Sequence, residues 1–412
     1  MADLKNIPVV IISMSRWDGD YSSTSWSLAK TFAKERVVIY VDYPYTWSEY
    51  LRKKNTPAVR RRKRALFGQQ LGLIPLSQYA DKLYALTPPL VFPVNWLSKG
   101  RAYNLFSSQT DKILWKSIKS SLRELGLKEV ILFNAFNPLY LAVPPEDDAI
   151  KAVVYQSQDN IRALEAYLRK HGSEAEVIAI QHAHLSIATS RQLQQDLTQL
   201  SGKKVAYLPN AADYNLFKKA YLEKLAKPAD LNDISGPMIG YTGNICHRLD
   251  YDLIKAICEA HPDKHLVMVG PRNHYGHTDI DLDAIPNLHF LGAKRLEALP
   301  AYLAHFDVLI LPFLINEVTR SIYPLKINEY LASGKPVVAT PFSEDIKSFG
   351  DWISIEADHS LFTRAIQKEL DEDTLEKQQA RNRAASKNTW EERANRLWQL
   401  LNEALTTGGS DK

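Results

Sequence analysis

Two α/β domains, each a parallel sheet with helices wound on both faces, are predicted by the length of the chain, the rhythm of its apolar runs and one charged stretch near its middle. At 412 residues the chain exceeds one ordinary core, since domains cluster at about 100–200 residues. Short apolar runs recur at Val9-Val-Ile-Ile12, Val37-Val-Ile-Tyr-Val41, Val130-Ile-Leu-Phe133, Ala152-Val-Val-Tyr155, Leu185-Ser-Ile-Ala188 and Val205-Ala-Tyr-Leu208. Helix-like segments separate them, which is the βαβ rhythm of a doubly wound sheet. The second half repeats it at Met238-Ile-Gly-Tyr241, Leu266-Val-Met-Val269, Leu288-His-Phe-Leu291, Val308-Leu-Ile-Leu311 and Val337-Val-Ala339. The intervening 218–237 is charged and ends in Asp233-Ile-Ser-Gly-Pro237, which reads as a linker. The predicted division is therefore 1–217, linker 218–237, 238–388, and a closing helix in 389–412. Thr389-Trp-Glu-Glu392 is a capping box opening that helix, with Trp390, Ala394, Leu397, Trp398, Leu401 and Leu405 on its apolar side. Such sheets bind ligands outside the carboxyl ends of their strands, so two of them are expected to face across a cleft.

Composition narrows the class. A hydrophobic share of 45% with 24% charged residues is that of a folded protein. Cys246 and Cys258 cannot build a disulfide framework and lack zinc-site spacing. With no basic-then-apolar leader and no apolar run of the roughly 18–20 residues a span needs, a cytoplasmic location is expected. The net charge of +4 is unevenly placed: Arg52-Lys-Lys54 and Arg60-Arg-Arg-Lys-Arg64 put eight basic residues into thirteen. Ala65-Leu-Phe67 and Leu71-Gly-Leu-Ile-Pro-Leu76 follow directly, so a basic patch abuts an apolar one, as in segments that rest on anionic membranes. Arg60, Arg61, Arg62, Lys63 and Arg64 are the membrane-surface candidates, a solvated helix face being the alternative. Nucleic acid is not expected as a partner, because the aromatic stacking positions of such binders are absent.

The loop after the first run, Ser13-Met-Ser-Arg-Trp-Asp-Gly-Asp20, holds one glycine and so is not a dinucleotide turn. Asp42, at the end of the second run, is in the place of a ribose-binding acid but lacks those glycines. Ile239-Gly-Tyr-Thr-Gly-Asn-Ile-Cys-His-Arg-Leu-Asp250 is a strand entering a glycine turn, with a helix beginning near Asp250. Backbone amides there and Arg248 can hold a phosphate; alternatively Gly243 only turns the chain and Arg248 is a surface charge. In Ser321 to Thr340, Pro324 and Gly334 bound a helix over 324–333, and Pro336-Val-Val-Ala-Thr340 follows as a buried strand. Lys326 and Glu329 then share one helical face near the anion-favouring N-terminus. His274-Tyr-Gly-His277 with Asp279, Asp281 and Asp283 reads as a polar loop, its spacing matching no metal site.

The run Pro324-Leu-Lys-x-x-Glu-Tyr-Leu-Ala-x-Gly-Lys-Pro-Val-Val338 resembles the nucleotide-sugar signature of GT-B glycosyltransferases of group 1, especially bacterial polysaccharide and teichuronic-acid-type transferases. Val154-Tyr-Gln-Ser-Gln-Asp-Asn160, Ala188-Thr-Ser190 with Leu208-Pro-Asn-Ala-Ala-Asp213 and Phe217, and the stretch from Ile239 to Asp252 agree with that group in order and spacing. The resemblance implies that the first domain takes the acceptor, that the second binds the donor, and that the final helix returns to the first. It further implies that Glu329 accepts hydrogen bonds from the donor ribose and that Lys326 holds the diphosphate. Amides around Ser321, Ile322 and Leu325 would assist, with Gly243, Asn244 and Arg248 across the loop. Two departures stand out. Ser321 occupies the place where the commoner pattern has a second glutamate, and Asn244 and Leu249 occupy the places of a usual cation pair.

The expected activity is transfer of a sugar from a nucleotide diphosphate donor, UDP-linked, to a surface-glycan or lipid-linked acceptor in bacterial polysaccharide biosynthesis. Asp159, beyond the strand that ends near Tyr155, is the expected base, with Asp18 and Asp20 as rivals in the first loop. No cofactor and no metal are expected. The alternatives are a nucleotide-sugar 2-epimerase of the same fold and a non-catalytic sugar-nucleotide binder. The cell envelope, with peripheral contact at the inner membrane face, is the expected setting.

Overall fold

The computed structural model describes residues 4–19, 23–273 and 280–407. The chain forms two compact units, one of Met1–Thr189, Leu193–Leu208 and Ala394–Lys412, the other of Ser190–Gln192 and Pro209–Arg393. The first unit is built on an eight-stranded sheet ordered β3-β4-β2-β1-β5-β6-β7-β8. Its strands are β1 (Val9–Ser13), β2 (Val38–Val41), β3 (Leu73–Pro75), β4 (Leu83–Leu86), β5 (Val130–Ala135), β6 (Ile150–Ser157), β7 (Leu185–Ala188) and β8 (Ala206–Tyr207). All pair in parallel except β3, which runs antiparallel along β4. β1 and β5 are buried at every position, which is why continuous apolar runs, rather than alternation, encode them. Within Leu71 to Leu76, read as an apolar patch, Leu73–Pro75 is this edge strand, with Ile74 exposed and Leu76 buried.

The second unit carries a six-stranded parallel sheet ordered β11-β10-β9-β12-β13-β14. The strands are β9 (Met238–Thr242), β10 (His265–Val269), β11 (Leu288–Phe290), β12 (Val308–Leu311), β13 (Val337–Ala339) and β14 (Ser354–Ile355). The segment 218–237 is not a linker. It lies within this unit as short helices at Lys219–Leu222 and Ala229–Leu231, with Ala220, Leu231 and Ile234 buried in the core. Its charges are the wet side of helices whose few apolar residues point inward.

The Thr389 half of the capping box forms: the Glu392 amide donates to Thr389 Oγ1 at 3.2 Å, opening the helix Trp390–Thr407. From Ala394 onward this helix belongs to the first unit, where the Trp398 ring packs 4.8 Å from Phe32 and lies under the Arg36 guanidinium at 4.0 Å.

Gly240, in the middle of β9, is a packing requirement, because a Cβ there would lie 2.1 Å from the Phe306 ring. Gly240→Ala should destabilise the second unit by about 2–3 kcal/mol through overpacking. Adding Phe306→Leu should recover part of that loss in urea unfolding; equal stability of Gly240→Ala and the parent would contradict the packing.

Candidate active site

In the second unit the site is assembled at the carboxyl end of β9. The helix Leu325–Ala332 has Pro324 at its N-cap and Ser333 at its C-cap, one residue inside the predicted bounds, and Gly334 follows at φ 72°. Tyr330 fixes this helix to the strand end, its hydroxyl accepting from the Thr242 amide at 2.8 Å. Gly243 comes next at φ 138°, and a Cβ on it would fall 1.8 Å from Lys326 Cε. The Lys326 stem therefore crosses directly over a bare backbone. Gly270, ending β10, admits a second close approach: its Cβ would lie 1.8 Å from the Gly243 carbonyl oxygen. The Gly243 amide donates to Val269 O at 2.8 Å, so the two strand ends are locked side by side.

The loop beyond Gly243 is held at several points. Tyr241 OH donates to Asn244 O at 3.0 Å, Asn273 Nδ2 donates to Asn244 Oδ1 at 3.1 Å, and the Ile245 amide donates to Pro271 O at 2.9 Å. Asp250 caps the helix Tyr251–Ala260 through the Leu253 amide at 2.9 Å. Arg248 takes a carbonyl bond from the Leu314 amide at 2.9 Å, and its Nε lies 3.5 Å from Cys246 Sγ. Its charge reaches Lys326.

Burial and neighbouring charge set the electrostatics of the site. Burial lowers the Lys326 ammonium from the usual lysine value; Glu329 opposes that shift and Arg248 adds to it. Burial pushes the Glu329 carboxyl up to about 7, against the pull of Lys326. An incoming anion would favour the charged lysine. Leu325 and Lys326 supply the first amides of the helix, those without an intrahelical acceptor. Ser321 ends the 3-10 turn Thr319–Ser321, is only 1% exposed, and its Oγ has no hydrogen-bond partner. Such a buried hydroxyl costs about 1–3 kcal/mol unless something binds it. The Ile322 amide, expected to assist, is already committed to Thr319 O at 3.0 Å.

In the first unit, Asp159 lies just beyond β6, half-buried. A network that sequence reading missed braces the strand end before it: buried Glu176 accepts from Ser157 Oγ at 2.8 Å, Tyr155 OH at 3.1 Å and Arg162 Nη1 at 3.2 Å. Only the polar spacing of Ser157 and Arg162 hinted at it. Asp18 is not a candidate base. Arg62 binds it through two bonds of 2.7 and 2.8 Å and Arg61 adds a third at 2.9 Å. Burial raises the Asp18 carboxyl, but Arg62 and Arg61 bring it below the usual aspartate value. Arg62, expected on the surface, is 6% exposed and also pairs with Asp42 at 3.2 Å. Asp42 is consequently no ribose ligand: it is buried between Arg62, Thr87 Oγ1 at 2.8 Å and the Trp17 amide at 3.1 Å. Arg60, Arg61, Lys63 and Arg64 do face outward on the helix Pro57–Leu66. Asp20, His274, His277 and Asp279 lie outside the described residues. Asp283 is an ion-pair partner of Arg272 at 2.7 Å.

Glu329 gives the site a pH signature. A carboxyl with a raised folded-state pKa costs nothing below its unfolded value, and the cost grows as pH rises from about 4.5 to 7, where it is complete. Relative to the parent, Glu329→Gln should therefore gain on the order of 2 kcal/mol between pH 5 and pH 8. Chemical unfolding at the two pH values checks this, and a pH-independent difference would contradict the burial.

Residues 236–372 match the family model described as glycosyl transferases group 1. Over 214 residues the chain is 28% identical to the Bacillus subtilis (strain 168) protein named teichuronic acid biosynthesis glycosyltransferase TuaH, covering 50% of this chain and 53% of that one. The chain thus spans about half the length of this curated relative. The α,α-trehalose-phosphate synthase (UDP-forming) of Burkholderia vietnamiensis superposes with a TM-score of 0.67 at 12% identity, over 98% of this chain and 100% of that one. An E. coli structure titled trehalose-6-phosphate bound with UDP-2-fluoro glucose gives 0.67 at 10% identity, over 96% and 98%. Identities this low speak for the fold alone, and that fold is GT-B, with two parallel-sheet α/β domains. Residues 236–372, which contain Gly243, Arg248, Lys326 and Glu329, form a domain of the group 1 glycosyltransferase family.

Proposed function

We propose that this chain is a glycosyltransferase that moves a sugar from a UDP-linked donor to a surface-glycan or lipid-linked acceptor during bacterial polysaccharide assembly. The observation that carries this is the seat at the end of β9, where Lys326 crosses Gly243 with Arg248 in electrostatic reach and Glu329 one turn along the helix. Lys326, Arg248 and the first amides of the helix are assigned to the diphosphate, and Glu329 to the ribose hydroxyls, from which a carboxylate can accept two hydrogen bonds. The buried unpaired hydroxyl of Ser321 is assigned a bond to the same donor. The structural neighbours, one UDP-forming and one bound to a UDP sugar, support uridine as the nucleoside. The teichuronic acid name of the relative supports an envelope polymer as the destination.

In the proposed step an acceptor oxygen attacks the anomeric carbon while the bond from that carbon to the phosphate oxygen breaks. The electron pair leaves with the nucleoside diphosphate, whose growing charge the lysine, the arginine and the helix N-terminus stabilise. Asp159 takes the acceptor proton. The protein's own cations carry the charge in this scheme. Arg60, Arg61, Lys63 and Arg64 are assigned to an anionic membrane surface, the setting in which a lipid-linked acceptor would be met.

Calorimetry with UDP, GDP and their sugar conjugates tests the donor seat. UDP compounds should bind selectively, and Glu329→Ala or Lys326→Ala should weaken them by about 10- to 100-fold, the loss of charged hydrogen bonds. If no nucleotide binds the folded protein, the seat is misread. Asp159→Asn should leave donor binding unchanged and lower turnover by at least about 100-fold. Conversion of the donor sugar without acceptor would identify an epimerase, and tight binding with no turnover a non-catalytic binder.

A further inference from the structure

Two stretches of the first unit present large apolar side chains to solvent, and both are basic. The first runs from Trp47 to Phe67, with eight basic residues and one acid, Glu49; the second runs from Phe92 to Phe106, with Lys99, Arg101 and no acid. Trp47, Leu51 and Phe67 are exposed in the first; Phe92, Trp96 and Leu105 in the second. Leu51 is 62% and Trp96 72% exposed, far above what folding alone would leave uncovered in a cluster of this size.

The backbone brings the stretches together. The Trp47 amide donates to Val91 O at 3.1 Å, the Leu90 amide to Leu66 O at 2.9 Å, and Thr46 bridges Val91. Phe92 therefore leaves the fold beside Trp47, whose ring meets Phe67 edge-on at 5.7 Å, and Phe92 itself packs 5.7 Å from Phe106. The result is one continuous strip along the Trp47–Lys53 helix, the end of the Pro57–Leu66 helix and the 92–106 segment.

Its charge is cationic because the acids nearby are already spent. Glu49 is gripped by Arg16 at 2.8 and 2.9 Å and by Lys53 at 3.0 Å, and Asp18 by Arg62 and Arg61. Lys99 does meet exposed Glu174 at 2.9 Å. The aromatic segment is held rigidly: Leu97 O lies 3.2 Å from Lys170 Nζ and 3.1 Å from His171 Nε2. Trp96 Nε1 donates to Pro93 O at 3.0 Å. Its indole can thus enter an apolar phase without stranding a donor, the condition that ordinarily makes burying a tryptophan costly.

We infer that this strip is a docking face for an anionic lipid bilayer, in which Trp96, Phe92, Leu105 and Leu51 enter the headgroup and acyl boundary while Arg60, Arg61, Lys63, Arg64 and Arg101 meet the headgroups. It rests on the membrane contact proposed above for the basic helix and adds the half that inserts. Exposed apolar side chains of this kind suit a fluid interface, and long cationic side chains can lie along apolar surface with their heads in the polar layer. No described helix is long and apolar enough to cross a membrane, so the attachment is lateral.

Co-sedimentation of the full chain with phosphatidylcholine vesicles, with and without phosphatidylglycerol, tests this. The parent should bind only the vesicles containing phosphatidylglycerol. A Phe92→Ser, Trp96→Ser double variant should bind them at least about tenfold more weakly, in proportion to the apolar area withdrawn. Circular dichroism and urea unfolding, read in parallel, should match the parent and show that the first unit of the variant is folded. If the parent binds and the double variant binds equally, insertion is refuted while the basic-helix contact stands. If the parent ignores anionic vesicles at low salt, both fail, and capture of an acidic protein by the same strip would assign it to another partner.

Discussion

The candidate site of the second unit depends on how closely bare backbone can be approached. Gly243 and Gly270 lie side by side at the ends of β9 and β10, and a single added carbon on either would collide with Lys326 or with the Gly243 carbonyl at 1.8 Å. The cation reaches its place only because its aliphatic stem lies across that backbone. Tyr330 then fixes the helix against Thr242, so lysine, carboxyl and helix dipole reach the strand end as one piece. Behind it, Arg381 and Asn382 of the helix Leu375–Ser386 cover the helix's other end, Arg381 Nε on Gly334 O at 2.9 Å and Asn382 Nδ2 on Ala332 O at 2.6 Å. Prior fixing of this kind reduces the ordering a ligand must impose.

Two clusters, one in each unit, handle charge differently. In the first, Asp18 and Asp42 share Arg62, and Glu176 has a hydroxyl, a phenol and a guanidinium. Each acid there is matched with donors, which makes it part of the framework and removes it from chemistry. In the second, neither Lys326 nor Glu329 makes a side-chain hydrogen bond or ion pair among the described residues, though each feels the other. Ser321 beside them has an idle hydroxyl. Unmatched polar groups of this sort are expensive, and their concentration in one place calls for an explanation.

Buried parallel strands were legible in the sequence because their whole length is apolar; β7, β12 and β13 begin and end where their runs do. β3 and β4 were not legible, since an edge strand with two exposed residues and a four-residue run without a β-branched residue carry neither signature. The charged 218–237 segment was misread for the converse reason, its buried Leu231 and Ile234 being too few to outweigh its surface. The clamp helix and its paired Lys326 and Glu329 were legible because their spacing is local. The fate of Asp18 was not, because its partner Arg62 is 44 residues away. Within Arg60 to Arg64, helical periodicity places one arginine on the inner face with Val59, Ala65 and Leu66, and composition alone cannot say which.

The shifted titrations of Lys326 and Glu329 have a thermodynamic corollary. Each is displaced toward its uncharged form in the resting chain, and Glu329 stands at about 7. On the donor seating proposed above, ribose hydroxyls on the carboxyl would favour its ionised form, and Glu329 would release protons as the nucleotide docks. That release would fall on the buffer, so the apparent heat of association would vary with the buffer's own ionisation enthalpy.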